Sequence, residues 1–584
     1  MSKFPSKIIK KKIIIGVKDR IAESVEELFE SDLFKEILKK FLDRLIHKQS
    51  PVLAVFGKET ITDADRMLLY KTLYYLTKLD ASLVPGVVKG SEMFFRDTEL
   101  LNELVEQLYN YWRSFDRFII CDSEGESYDK RPFRTFNTTV ERLMHLVLQA
   151  YRDVHENITS RHPRVYRQVH AGAEVATIAI PLQRKFFNKK YDVLKDISII
   201  RQILLYPPLI LKPPMNKRRG AFLEVDQNPI TNVKLDNREW LCFPANVGTL
   251  LIHVYFHESF FELGFALANL FQLASDDELD RKPDGIYLYG VERQALKQYG
   301  DLPTVYFEDK EENLFIGVVP RDLEFGYFGY LKKMILTLHN LIVMKRGNMP
   351  FHGALVQILL KNNKQANVLL IGDSGAGKSE SLEAFRKLGD EEIKDLTIIA
   401  DDMGSISVDN KGNIVAYGTE IGAFLRLDDL HPGYAFGQLD RAIIMSAGQT
   451  NARIVLPVTT QDNITKGVAV DYIFYANNYE NIDAQHPIIE RFDSAETAFN
   501  LFREGNVMSK GTTTTTGLVQ SYFANIFGPV QRKELHDEIA RHFFNKFFEN
   551  DIFVGQIRTC LGVKGFEAEG PKEAAEELLK LIMS

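Results

Sequence analysis

The chain has 584 residues, 45% hydrophobic and 26% charged, with 72 Lys+Arg against 79 Asp+Glu and a net charge of −7. That composition supports sizeable buried cores, excludes a disordered or collagen-like chain, and argues against broad, sequence-independent binding to nucleic acid. The three cysteines, Cys121, Cys242 and Cys560, are far apart and make no CxxC pair, which excludes a disulfide scaffold or a cysteine-rich zinc module and points to a reducing compartment.

Near the N-terminus the longest apolar run is residues 13–15, far shorter than a signal-peptide core or a membrane span. A cytoplasmic protein without membrane or nucleic-acid association is therefore expected. Residues 1–115 read as helix-rich. Phe29, Leu33, Ile37, Leu38, Phe41, Leu42 and Leu45 recur at three- and four-residue spacing, which predicts one apolar helix face. Residues 63–77 and 99–112 repeat that pattern, with Phe94 and Phe95 to fill the space between them. Residues 116–320 read as a mixed α/β, substrate-side domain, with a helix over 140–155 and a strand over 175–182. Pro207, Pro208, Pro213 and Pro214 then break the chain before Lys217-Arg218-Arg219-Gly220, an expected exposed basic turn. From 321 to 584 the pattern changes to strands, turns and Gly-rich loops, so the expected class is α/β, mixed α+β overall.

The strongest single motif is Gly372-Asp-Ser-Gly-Ala-Gly-Lys-Ser379, which fits GxxxxGK[ST] at every specified position. An apolar strand leads in at 368–371 and a helix is expected over 380–388. Small residues at Gly372, Gly375, Ala376 and Gly377 let backbone N–H groups close around phosphate oxygens, and the helix N-terminus adds partial positive charge. In such a loop Lys378 contacts the terminal phosphates and the Ser379 hydroxyl ligates Mg²⁺. About twenty residues on, a second apolar strand ends in Asp401-Asp402, where an α/β sheet offers metal-binding carboxylates. If the strand continued, the two would point to opposite sides.

The segments Phe351-His-Gly, Gly372–Glu380 and Ala400-Asp-Asp resemble HPr kinase/phosphorylase. From about Tyr327 to the C-terminus the chain also resembles ATP-type phosphoenolpyruvate carboxykinase, a family sharing the same P-loop fold. Tyr327-Phe-Gly-Tyr-Leu-Lys-Lys333 is similar to that family's Y-x-G-E-M-K-K, with Tyr330 at the acidic position. Residues 417–430, 450–457 with 461–464, 468–475, and 499–510 followed by 523–528 resemble its later segments in order. The resemblance implies that Lys333, His352 and Asp402 hold Mn²⁺, and that Ser379 and Asp401 hold the Mg²⁺ of ATP or another nucleotide. It implies a nucleotide site of Gly372, Asp373, Ser374, Gly375, Ala376, Gly377, Lys378, Ser379 and Arg426. Lys378 and Arg453 would neutralise charge during in-line transfer, with Asp401 at the metal and Tyr327 at the edge of the acceptor site. Lysine as a metal ligand requires a lowered pKa.

The family's carboxylate-binding arginine motif, GRSPKDK-like, is missing. Arg131 and Arg134 are substitutes by composition only and read as a surface loop. The family's lid segment is replaced by Gly511-Thr-Thr-Thr-Thr-Thr-Gly517. Three readings stand. The first is a carboxykinase-like enzyme converting oxaloacetate and ATP to phosphoenolpyruvate, CO₂ and ADP. The second is an HPr-kinase-like enzyme phosphorylating another small molecule or a protein hydroxyl, with His352 or Asp401 as base. The third is a catalytically degenerate nucleotide sensor whose enlarged N-terminal region meets a protein partner.

Overall fold

The computed structural model describes residues 6–17, 21–122, 131–161, 170–181, 188–301, 303–373, 376, 392–427, 430, 437–510, 516–566 and 569–584. The chain is mixed α/β and divides into two compact units. The first comprises Met1–Leu182, Ile197–Tyr206 and Asn237–Glu239, and the second Gln183–Asp196, Pro207–Asp236 and Trp240–Ser584. These divisions differ from the sequence boundaries at 115/116 and 320/321. Strand Asp116–Asp122 pairs in parallel with Lys12–Val17, which draws it to the N-terminal helices, and helix Phe328–Lys345 packs on strands that precede it.

In the first unit the strand order is Lys7–Ile9, Lys12–Val17, Asp116–Asp122, Val175–Pro181, Ser198–Leu205. The predicted face from Phe29 to Leu45 is two helices, Val25–Glu30 and Asp32–His47. Ser31 breaks them, because its hydroxyl accepts from Phe34 N–H (3.2 Å) and caps the second helix. Phe29, Ile37, Leu38, Phe41, Leu42 and Leu45 are buried as expected, while Leu33 is half-buried. Helices Asp63–Leu76 and Thr98–Arg113 follow, and Phe94 is fully buried against Phe56 with ring centroids 5.3 Å apart. The helix expected over 140–155 runs from Arg131 to Thr159. Arg131 and Arg134 therefore lie in its first turn and not in a surface loop. Two apolar clusters fill the unit: one among the helices, including Phe41, Leu73 and Leu101, and one against the strands, including Ile15, Ile119 and Ile178.

In the second unit one sheet runs in the order Trp240–Val247, Leu250–His257, Gly285–Val291, Leu314–Pro320, Val305–Asp309, Leu223–Glu224. A second runs Val468–Ala469, Ile414–Gly418, Met403–Val408, Met349–Leu360, Gln365–Ile371, Tyr472–Asn477, Phe553–Arg558, Ile489–Arg491, with Ile393–Ala400 also on Met349–Leu360. A third small sheet holds Gly422–Arg426, Arg453–Pro457, Ile443–Met445 and Leu209–Leu211. Helix Phe328–Lys345 packs on strands of the first two sheets, and every residue from Phe328 to Met344 except Lys333 is buried. Most of its residues are apolar with no polar face, and such an element is buried on every side. No helix among the described residues is long and apolar enough to cross a membrane.

Candidate functional site

The start of helix Phe328–Lys345 is set by the Tyr-x-Gly motif. A Cβ on Gly329 would stand 2.2 Å from the Tyr327 ring, so glycine lets that ring lie against the first turn. The next turn presents Lys332 and Lys333. Lys332 is buried with its Nζ 2.8 Å from Asp402 Oδ2 and 2.9 Å from Glu420 Oε1. Burial opposes its charge, but the two carboxylates more than offset this, and its pKa stands above the usual lysine value. Glu420 is itself buried, which pushes its pKa up against the pull of Lys332. Lys333 lies over the Phe527 ring, 4.7 Å from its centroid. Burial and then the Arg218 charge lower its pKa to about 8, against the opposing pull of Asp402 and Asp373.

His352 comes from the opposite side. Strands Met349–Leu360 and Met403–Val408 pair with His352 opposite Met403, which sets the imidazole beside the Asp401-Asp402 turn. Gly353 permits the crossing, since a Cβ there would stand 2.5 Å from the Leu370 carbonyl oxygen. His352 Nδ1 donates to the Ala524 carbonyl, and Nε2 lies 3.0 Å from Asp402 Oδ1. A carbonyl only accepts, so Nδ1 carries a proton, and the ring's other nitrogen, Nε2, is the one turned to the carboxylate. At this separation Nε2–H can donate to the carboxylate, or an unprotonated Nε2 and the carboxylate can share a metal ion. Ala524 lies in a run of three left-handed residues, Phe523 (φ 43°), Ala524 (58°) and Asn525 (61°), a strained backbone of the kind that concentrates at functional sites.

The glycine-rich segment starts at the same place. Strand Gln365–Ile371 pairs in parallel with Tyr472–Asn477, and Gly372 N–H donates to the His352 carbonyl (3.2 Å). The Asp373 carbonyl accepts from Ala376 N–H (3.0 Å), and Thr559 Oγ1 donates to the Ala376 carbonyl (2.8 Å). Ser374, Gly375, Gly377, Lys378 and Ser379, with the helix expected over 380–388, lie outside the described residues. Asp401 and Asp402 do not continue a strand: Ile393–Ala400 ends before them, and they form the turn into Met403–Val408.

Phe424 gathers the remaining groups. Arg453 lies over its ring at 5.3 Å, Lys332 at 5.9 Å, and the Tyr327 ring is 6.2 Å away. Arg453 Nε is buried without a hydrogen-bond partner among the described residues. Arg426 stands directly opposite Arg453 on the neighbouring strand. Like charges in such a pair repel, so the arrangement favours an anion beside it.

Arg218 is the group that sequence reasoning missed. Its turn was expected to be exposed, and Lys217 and Arg219 are, but Arg218 is half-buried. Its guanidinium packs 4.9 Å from the Phe222 ring centroid, burial lowers its pKa, and its charge acts on Lys333. The Tyr330 hydroxyl accepts from Arg219 N–H (2.9 Å) and donates to its carbonyl (2.8 Å). Asn216 donates to the Thr450 carbonyl and accepts at its own carbonyl from Asn451, both at 2.6 Å, which ties the turn to the chain just before Arg453. The one available signal was Tyr330 itself, a tyrosine at an expected acidic position. No protein-family model matches the chain, and neither does any curated protein.

Proposed function

We propose that the second unit is a nucleotide- and metal-dependent phosphotransferase of the phosphoenolpyruvate carboxykinase type, converting oxaloacetate and ATP to phosphoenolpyruvate, CO₂ and ADP. The observation that carries this reading is the convergence of His352 Nε2 and Asp402 Oδ1, 3.0 Å apart, with Lys332 and Lys333 on the adjoining helix turn. The donor set fits a divalent cation: an imidazole nitrogen, a carboxylate, and a lysine whose pKa is lowered to about 8, so that a cation displaces its proton more easily than from an ordinary lysine. Mn²⁺ so held would supply charge stabilisation at the enolate and phosphoryl oxygens.

The chain's own groups divide the remaining work. Arg218 would take the acceptor's carboxylate through a planar, two-pronged contact. Decarboxylation leaves the bond electrons as an enolate, whose oxygen attacks the γ-phosphorus as ADP departs. Arg453 and Arg426 would face the phosphoryl oxygens, and Lys332 supplies a fixed positive charge. Lys378 and Ser379 are assigned to phosphate and Mg²⁺ from the motif alone, and Asp401 joins Ser379 in that role. Arg218 is the feature that favours a carboxylate-bearing acceptor over a plain hydroxyl.

The test is incubation of the full chain with ATP, Mn²⁺ and oxaloacetate, with phosphoenolpyruvate measured directly. Product that disappears in Arg218→Gln supports the reading. Absence of product, with ATP turnover stimulated by a hydroxyl acceptor, would move the assignment to a kinase.

A further inference from the structure

A cavity of about 360 Å³ lies in the first unit, far along the chain from every group discussed above. Ile15 and Val17 from a strand, Phe34 and Ile37 from one helix, and Leu108 and Val147 from two others contribute to its wall. It occupies the seam between the two apolar clusters, to both of which the half-buried Leu28, Leu108 and Tyr111 belong. The cavity opens to solvent on one side, so an apolar ligand seated in it removes apolar wall from water and gains dispersion contacts. The volume is more than twice the roughly 150 Å³ of an engineered cavity that takes benzene, and it falls in the range of small-molecule sites, about 300–1,000 Å³.

The polar groups on the wall restrict the ligand class. Trp112 Nε1 donates to the Ala171 carbonyl (2.8 Å) and Ser31 Oγ to the Leu28 carbonyl (2.6 Å). The Tyr151 hydroxyl is taken by Glu106, and the Glu27 carboxylate accepts from Glu23 N–H (2.9 Å). The donors of Trp112, Ser31 and Tyr151 are thus already committed, and a nucleobase, sugar or amino acid entering among the aliphatic and aromatic side chains that make up most of the wall would leave most of its own hydrogen bonds to water unreplaced. A saturated chain has no such bonds to lose. Ser6, on the same wall, is exposed, so the cavity reaches solvent where a charged head group could remain hydrated.

We propose that this cavity binds the aliphatic chain of one medium-length fatty acid, recognised by its hydrocarbon and not by its head group. The proposal is independent of the phosphotransfer assigned to the second unit. The full chain, stripped of co-purified lipid on a hydrophobic resin, is titrated with laurate by calorimetry, and then with lauryl alcohol. The expected result is saturable binding of one laurate per chain, with the alcohol within about threefold of it, because the head group contributes little. Ala150→Phe and Val147→Phe place a ring in the cavity from the helix Arg131–Thr159. Each should weaken laurate binding about tenfold or more while leaving the melting temperature unchanged or raised. Absence of saturable laurate binding to the wild type overturns the proposal, as does wild-type affinity in both folded variants. If one variant fails to fold, the other decides. Flotation with phosphatidylglycerol vesicles covers the second source of an acyl chain, and co-flotation without laurate binding also overturns it.

Discussion

The Tyr330 hydroxyl makes two hydrogen bonds to one residue, accepting from Arg219 N–H at 2.9 Å and donating to the Arg219 carbonyl at 2.8 Å. A phenol can do both at once, whereas an ionised carboxylate could only accept. The turn bearing Arg218 is thus held to the helix bearing Lys333 by the residue that departs from the expected pattern. Tyr330→Phe should cost about 1–3 kcal/mol and leave the fold intact. In steady-state assays it should raise KM for an anionic acceptor about tenfold with a smaller change in kcat, since on the proposed reading Arg218 would hold the acceptor in both ground and transition states. Unchanged KM would count against Arg218 as an acceptor contact.

The His352–Asp402 pair makes a separate claim. Asp402→Asn replaces the anionic oxygen with an amide, which removes the negative charge that a cation would meet at this position. The variant should stay folded and bind Mn²⁺ about 100-fold more weakly, read from the electron paramagnetic resonance signal of free Mn²⁺. His352→Ala should do the same. Wild-type affinity in both variants would remove the metal site from the mechanism.

Lys333 sets a pH dependence. Its pKa is about 8 in the folded protein against an ordinary 10.5. Between those values the unfolded chain holds a proton that the folded chain has released, so stability rises with pH across the window and carries its full penalty below it. Lys333→Met removes that penalty. In metal-free protein the variant should melt a few degrees above wild type near pH 7, and the difference should shrink toward about pH 10. A constant difference would show that the ammonium is not held against its preference.

Gly353→Ala would set a Cβ 2.5 Å from the Leu370 carbonyl oxygen, a backbone atom with little freedom to yield. A loss of about 1–3 kcal/mol in denaturant unfolding is expected. Gly437→Ala, where a Cβ meets nothing within 4 Å among the described residues, is the control and should be near neutral.

What was legible in the sequence depended on a local repeat or a short motif. The burial from Phe29 to Leu45 follows from its spacing, although that spacing runs straight across the Ser31 cap and hides the break. Helix Phe328–Lys345 left no such trace, because an element buried on every side has no alternation to detect. The placement of His352 beside Asp402 depends on strand pairing that no single segment displays. Arg218 was misread for the same kind of reason. Three cations before a glycine indicate solvent, and what draws one of them inward is a hydroxyl 111 positions away from its neighbour Arg219.

Because Lys332 and Lys333 sit on a helix otherwise enclosed by the core, their backbone amides are expected to open only with the unit as a whole. Hydrogen exchange there would report only the opening of the whole unit. Loss of the two lysines' geometry on warming and loss of the fold would then be one event.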